Sequence, residues 1–269
     1  MQFIDTHCHI QSAGLTKGER STRELWAKAP ELSTDTLVAD AIAAEVTKMI
    51  CVGCDVEDSR LAIECAAGHT ECYASIGIHP HEAARHKQDL AEFATLASQP
   101  KVVAIGECGL DYFYEHSPRD DQMLVLKFQL ELAQKTGLPV IFHVREAFED
   151  FWPIFDSFPA GTIKGVLHSF TDSKQNLDKA VARGLFIGVN GIATFAKQQE
   201  QLQMYAAIPL EHIVLETDAP FLTPVPFRGT INKPQQITTV AAYLATLRNE
   251  PLEAIAKATT DNASRLFDI

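Results

Sequence analysis

Eight short runs of apolar, largely β-branched residues recur along the chain, at 3–10, 49–52, 73–78, 102–107, 139–144, 165–170, 186–191 and 212–217. Between them lie stretches with apolar residues three and four apart, the spacing of a helix face, at 35–46, 58–67, 88–97, 120–135, 147–156, 174–183 and 199–206. Two more helical stretches, 235–247 and 252–267, follow the last run. Near-continuous apolar strands alternating with helices predict a parallel sheet covered on both faces. Eight such units exceed what a doubly wound sheet usually holds, so the pattern predicts an α/β chain closed into a (β/α)8 TIM barrel. A barrel of this kind commonly takes about 250 residues as one domain. No linker or low-complexity tract divides the chain, so residues 1–269 read as a single domain.

One segment breaks the rhythm. Residues 11–33 are long for a βα connection, which usually takes about two to six residues. The segment carries Lys17, Arg20, Arg23 and Lys28 beside Glu19, Glu24 and Glu31, with Leu25 and Trp26 as apolar anchors. It reads as a loop insertion after the first strand. Either it is a plain surface loop with a short helix, or it is a lip over the barrel mouth, where barrel enzymes diversify their chemistry.

The ends of the apolar runs carry a second pattern. His7 and His9 close the first run, Glu107 closes VVAIGE, His143 closes PVIFH, His168 closes GVLH, and Asp218 follows IVLET. In a barrel these residues converge on the C-terminal mouth. Side chains two apart on a strand share a face, so His7 and His9 are expected to converge with Asp5, while Thr6 and Cys8 face the other way. Each histidine alone reads equally as an ordinary buried, hydrogen-bonded side chain, but folding gives no reason for several to share one end. Glu107, if buried and unpaired, would be expensive, and cations would remove that cost. Asp218 suits a metal ligand or a base acting on water, and Glu216 either a core salt bridge or a support for a ligand. Gly106 and Gly109 are expected to form a tight turn presenting Glu107. The Cys51-Val-Gly-Cys54 stretch lacks a second pair and reads as small residues ending the second strand. The constellation predicts a metal-dependent hydrolase.

Composition narrows the partners. A net charge of −12 counts against a dedicated high-affinity duplex binder, whose affinity comes mostly from Lys and Arg. Six scattered cysteines suit a reducing compartment. No apolar run approaches the roughly 20 residues of a membrane span, and Met1 runs almost directly into the first strand. The expectation is a soluble, cytoplasmic protein with no membrane contact and no obligate protein partner.

Taken in order, FIDTHCHI, IGIHPH, IGECGLDY, FHVR, HSF and LETDAPFLTP, with Arg228-Gly229 and Asn232-Lys233-Pro234 beyond, resemble the signature of the TatD-type metal-dependent deoxyribonucleases of the amidohydrolase-like superfamily. The match runs from Phe3 to the C-terminal helices. The resemblance implies a (β/α)8 fold with two divalent metal ions, magnesium, manganese or zinc. His7, His9, Glu107 and Asp218 would hold one ion and Glu107, His143 and His168 the other, with Glu107 bridging. It implies Asp218 as the acceptor of the attacking water's proton, and His79 and Arg228 as contacts to a phosphate; His81 is left open. Arg145, Lys174, Lys197 and Lys233 are further candidates for phosphate. Tyr112, Phe113, Tyr114, Phe195 and Phe221 read either as packing or as stacking surfaces for splayed bases. The activity implied is cleavage of phosphodiester bonds in a nucleic acid substrate, single-stranded or frayed DNA with 3′–5′ exonuclease action, extending to RNA or tRNA. The alternative is a D-aminoacyl-tRNA deacylase, or another ester or amide hydrolase, at the same two metals. The long 11–33 segment departs from the compact first loop expected of the family and bears on substrate preference more than on metal binding.

Overall fold

A computed structural model describes residues 1–269, and in it eight parallel strands form one sheet in sequential order. They are β1 (Phe3–Cys8), β2 (Val46–Val52), β3 (Cys72–Ile76), β4 (Val102–Asp111), β5 (Val140–Arg145), β6 (Gly165–Leu167), β7 (Phe186–Val189) and β8 (Ile213–Leu215). Just beyond β8 the sheet meets its own first strand. Cys8 bridges to Ala219, the His9 N–H donates to Ala219 O at 2.7 Å, and the Asp218 N–H donates to His7 O at 2.8 Å. These bonds close the barrel and bring the first and last motifs of the chain together.

The helices are α1 (Arg20–Trp26), α2 (Thr34–Ala43), α3 (Val56–Gly68), α4 (Ala83–His86), α5 (Leu90–Leu96), α6 (Arg119–Thr136), α7 (Phe148–Phe155), α8 (Lys174–Ala182), α9 (Gln199–Ala207), α10 (Ile237–Arg248) and α11 (Leu252–Phe267). A large apolar layer lies between them and the strands. A smaller core of strand residues, including Ile4, Ile50, Ile141, Val166 and Val214, is joined by Ala263, Leu266 and Phe267 of α11. No helix is long and apolar enough to cross a membrane.

The structure corrects several boundaries. The helix expected over 35–46 ends at Ala43, and β2 begins at Val46 instead of 49. Glu45, at φ 65°, turns the chain there, and the β-branched Val46 and Thr47 extend the strand. The runs expected to reach 170 and 217 end as strands at Leu167 and Leu215, so His168 and Asp218 stand on the loops just beyond. Conversely, β4 continues four residues past Glu107 to Asp111. The expected turn at Gly106 and Gly109 is therefore absent. Those glycines serve close packing: a Cβ at Gly109 would collide with the backbone carbonyl of His143 on β5.

Residues 11–33 contain α1, capped by the Glu19 carboxylate accepting the N–H groups of Ser21 and Thr22. Trp26 is buried and its indole donates to His9 O at 2.9 Å. Buried Asp58 accepts from Gln11 Nε2 at 3.1 Å and from the Glu19 N–H at 3.4 Å. Gln11 Nε2 also donates to Val52 O at 2.8 Å, so the segment is tied to the ends of β1 and β2 and to α3, beside the barrel mouth. All six cysteines are free and buried.

Candidate active site and metal centre

Four imidazoles converge on the mouth around Glu107, which is 4% exposed. Its Oε2 lies 3.4 Å from His7 Nε2, and its Oε1 lies 2.9 Å from His143 Nδ1 and 3.8 Å from His168 Nε2. One carboxylate therefore presents its two oxygens to two separate groups of nitrogen donors. On the Oε2 side, His7 Nε2 and His9 Nε2 stand 3.2 Å apart, and Asp218 Oδ1 is 3.6 Å and 3.4 Å from them respectively. Donors placed about 2.1 Å from a first-row ion at tetrahedral angles lie about 3.4 Å from one another, so this set has the edge lengths of a coordination shell.

Two of these imidazoles, His9 and His143, present one nitrogen to the centre and hold an acceptor at the other, and His168 has a carboxylate beside its second nitrogen without an aligned hydrogen bond. His9 Nδ1 donates to Val52 O at 2.9 Å, His143 Nε2 meets Asp111 Oδ2 at 2.9 Å, and His168 Nδ1 lies 3.0 Å from Glu216 Oε1. Acceptors in this place fix ring orientation and tautomer, as they do behind metal-bound histidines. His7 Nδ1 is buried without a partner, and the His7 ring stacks on His168 at 3.5 Å between centroids. Asp5 does not join the cluster as expected; it accepts from Thr217 Oγ1 at 2.5 Å and from the Thr217 N–H at 2.9 Å. Burial raises its carboxyl to about 7 against these bonds.

Electrostatics follow from crowding acids and imidazoles out of water. Burial would raise Glu107, but the surrounding histidines hold it well below the usual carboxylate range. Burial would lower His168, yet Glu216 and Glu107 outweigh it and raise the imidazole to about 10. His143 and His9 are each raised to about 9 in the same way, the first by Asp111 and Glu107 and the second by Asp218. His7 is lowered by burial and by the neighbouring His168.

Asp111 is the residue that motif reading passed over. It is fully buried, and it meets His143 and His81 together, with His81 Nε2 at 3.0 Å. The signal was present, since Asp111 stands next to last in the IGECGLDY motif, four residues, and hence an even number of strand positions, beyond Glu107. Glu216, expected either in a core salt bridge or in support of a ligand near the catalytic Asp218, is buried behind His168 and does not line the cavity. It accepts from the Ser169 N–H at 2.6 Å and from Asn190 Nδ2 at 3.1 Å, which makes it a positioning residue. Gly188 makes room for it, because a Cβ there would strike its carboxylate. Glu216→Gln is expected to weaken metal affinity about 10–100-fold, the usual effect of losing such a partner; unchanged metal titration would show that His168 needs no anion behind it.

The cluster lies at the floor of a cavity of about 690 Å³. His9, His79, Glu107, His143, His168 and Asp218 all line it, as do Glu19, Arg20, Ser21, Thr22 and Glu24 of the 11–33 segment. His79 Nδ1 accepts the His81 N–H at 3.2 Å, which assigns the ring proton to Nε2, facing Glu107 Oε1 at 3.8 Å. Burial lowers His79 well below its ordinary value, so it stands as a neutral donor at the cavity wall. Of the basic candidates only Arg145 lines this cavity; Lys174 pairs with Asp178, and Arg228 stacks on Phe195 and lines a smaller neighbouring pocket. Arg20 and Arg85 line the main cavity instead, and no sequence motif marks them.

A closed barrel with histidines and carboxylates gathered at its C-terminal mouth has the architecture of a barrel hydrolase that works with metal ions. The chain matches the model of the TatD related DNase family over residues 4–268. It is 35% identical over 268 residues, covering 99% of both chains, to the uncharacterized metal-dependent hydrolase YabD of Bacillus subtilis. It is 33% identical to the 3′-5′ ssDNA/RNA exonuclease TatD of Salmonella typhimurium, covering 87% of this chain and 93% of that one. The crystal structure of YJJV, a TatD homolog from Escherichia coli, superposes with a TM-score of 0.86 at 31% identity, covering 99% and 98% of the two chains. This chain belongs to the TatD family, and it is a hydrolase acting on ester bonds.

Proposed function

We propose that the chain is a nuclease that uses two divalent metal ions to remove nucleotides from the 3′ end of single-stranded DNA, and of RNA. The observation that carries this reading is the Glu107 carboxylate, with Oε2 toward His7 and Oε1 toward His143. His7, His9, Glu107 and Asp218 would hold one ion, and Glu107, His143 and His168 the other. The donor set fits: imidazole nitrogens and carboxylate oxygens gather on both sides of Glu107, close enough to one another to share an ion, and His7 Nδ1 is buried without a partner. When bound, the ions would supply Lewis-acid polarisation of a phosphodiester and acidify water in their shell.

The remaining work falls to side chains. Asp218, 13% exposed at the cavity floor, accepts the proton of the attacking water. His79 donates from Nε2 to a phosphate oxygen, and Arg145, Arg20 and Arg85 draw the backbone into a mouth that also carries several carboxylates. The 11–33 segment forms one wall of the cavity and shapes which chain ends enter. Arg228 lies too far around the rim to line this cavity and is proposed only as a contact for the more distal backbone.

The deciding test uses metal-stripped protein, 3′-labelled and 5′-labelled single-stranded oligonucleotides, and magnesium, manganese or zinc added back. Stepwise shortening from the 3′ end is expected. Intact oligonucleotides alongside release of the amino acid from acylated tRNA would replace this reading with the deacylase one.

The pH dependence has a sign that checks the ligand assignment. His9, His143 and His168 have folded-state values of about 9, 9 and 10, above the ordinary 6.5. Their ion pairs therefore stabilise metal-stripped protein fully below about pH 6.5, and that stabilisation is lost as pH rises through 9 to 10. Metal must displace those protons, so its affinity rises over the same range. Thermal denaturation from pH 7 to 9.5 is expected to show Tm falling for stripped protein and the metal-induced Tm increment growing. Parallel curves would remove these imidazoles from the ligand set.

A further inference from the structure

The loop that leaves β4 exposes two aromatic side chains at the edge of the cavity, Phe113 at 50% and Tyr114 at 51%. Half-exposed rings are usually left where a loop has nothing to pack on, but these are held. Asp111 Oδ1 accepts the N–H groups of Phe113 at 3.0 Å and Tyr114 at 2.9 Å, while its other oxygen meets His143. A single carboxylate thus sets both the aromatic loop and an imidazole of the reaction centre. Arg145, two residues beyond His143 on β5, lays its guanidinium 4.0 Å over the Phe113 ring and 4.9 Å over the Tyr114 ring. Tyr114 lies parallel to His116, at 5.6 Å between centroids and an interplanar angle of 6°. Tyr114, His116 and Arg145 all line the cavity that contains Glu107 and Asp218.

We infer that Tyr114, backed by His116 and steered by Arg145, is a stacking subsite for the nucleobase next to the bond being cleaved. The inference rests on the nuclease reading and adds the part of the substrate that the metal centre cannot recognise. A flat π-face backed by a second ring accepts any base, which suits an enzyme that must process every sequence. Arg145, packed most closely on the Phe113 ring, offers its charge to the adjoining phosphate and leaves the half-exposed Tyr114 ring to the base. The loop is tied to Asp111, so the base is placed at a fixed distance from His143, and stacking brings the phosphate to the centre in register.

The experiment compares single-stranded oligonucleotides that carry a tetrahydrofuran abasic residue at one of the last three 3′ positions with the fully base-bearing chain. KM and kcat are measured for metal-loaded wild type, Tyr114→Ala and Tyr114→Phe. In the wild type, one abasic position is expected to raise KM about tenfold, the size of one lost stack, with kcat nearly unchanged. Tyr114→Ala should show the raised KM on all substrates and no longer distinguish abasic from base-bearing chains, and Tyr114→Phe should restore the distinction. If the wild type degrades abasic and base-bearing ends alike, or Tyr114→Ala preserves the discrimination, the subsite is refuted while the nuclease reading stands. If the wild type hydrolyses bis(p-nitrophenyl) phosphate but shortens no oligonucleotide, the nuclease reading fails and the subsite with it.

Discussion

Glu107→Gln protein is expected to stay folded, bind metal at neither position tightly, and lose at least about 10³-fold in kcat/KM, or about 4 kcal/mol of transition-state stabilisation. Glutamine keeps the shape of a side chain that is 4% exposed, so no cavity opens in the barrel mouth. What it removes is the charge and one of two acceptor oxygens. In the native arrangement those oxygens face His7 at 3.4 Å and His143 at 2.9 Å, on either side of the carboxylate. An amide offers a single weak oxygen, which cannot serve both sides. The neighbouring imidazoles lose an anion that raises them and pass to their neutral forms, which limits the damage to stability. Metal analysis of dialysed protein, urea denaturation and oligonucleotide turnover check the three parts. Two ions bound with wild-type turnover would rule out Glu107 as the shared ligand.

Asp218→Asn separates the second role. Its backbone has φ 59°, a left-handed conformation that Asn tolerates better than most residues, so Asn is a gentler replacement than Ala. Asparagine keeps an oxygen near His7 and His9 but cannot accept a proton, and the neighbouring histidines already hold native Asp218 in its ionised form against the effect of burial. With metal saturating, kcat is expected to fall about 10²–10⁴-fold, the range lost with a positioned base, while KM changes by less than about threefold. A fall in KM-linked binding with kcat preserved would make Asp218 a ligand alone.

Strand periodicity found all eight strands and placed His7, His143 and Glu107 on them, because burial on both faces leaves a run of apolar residues that any reader can see. Boundaries slipped where a local backbone feature overrode the pattern, as at Glu45, and where close strand packing let β4 run through two glycines to Asp111. The ligand candidates were legible because each chemical group closes its own apolar run. Glu216 was legible as a carboxylate near the site, but its place behind His168 was not.

The sequence by itself determined the barrel, the family and the four imidazoles and two carboxylates at its mouth, since these depend on local periodicity and on motifs short enough to lie within one strand end. Tertiary structure alone decided what stands behind and around them. Asp111 joins His143, His81 and the aromatic loop, and Arg20 and Arg85 enter the cavity in place of Lys174 and Arg228. Those relations link residues on different elements through side-chain reach and loop direction. Neither has a period along the chain, and both are set only when the first and last strands meet.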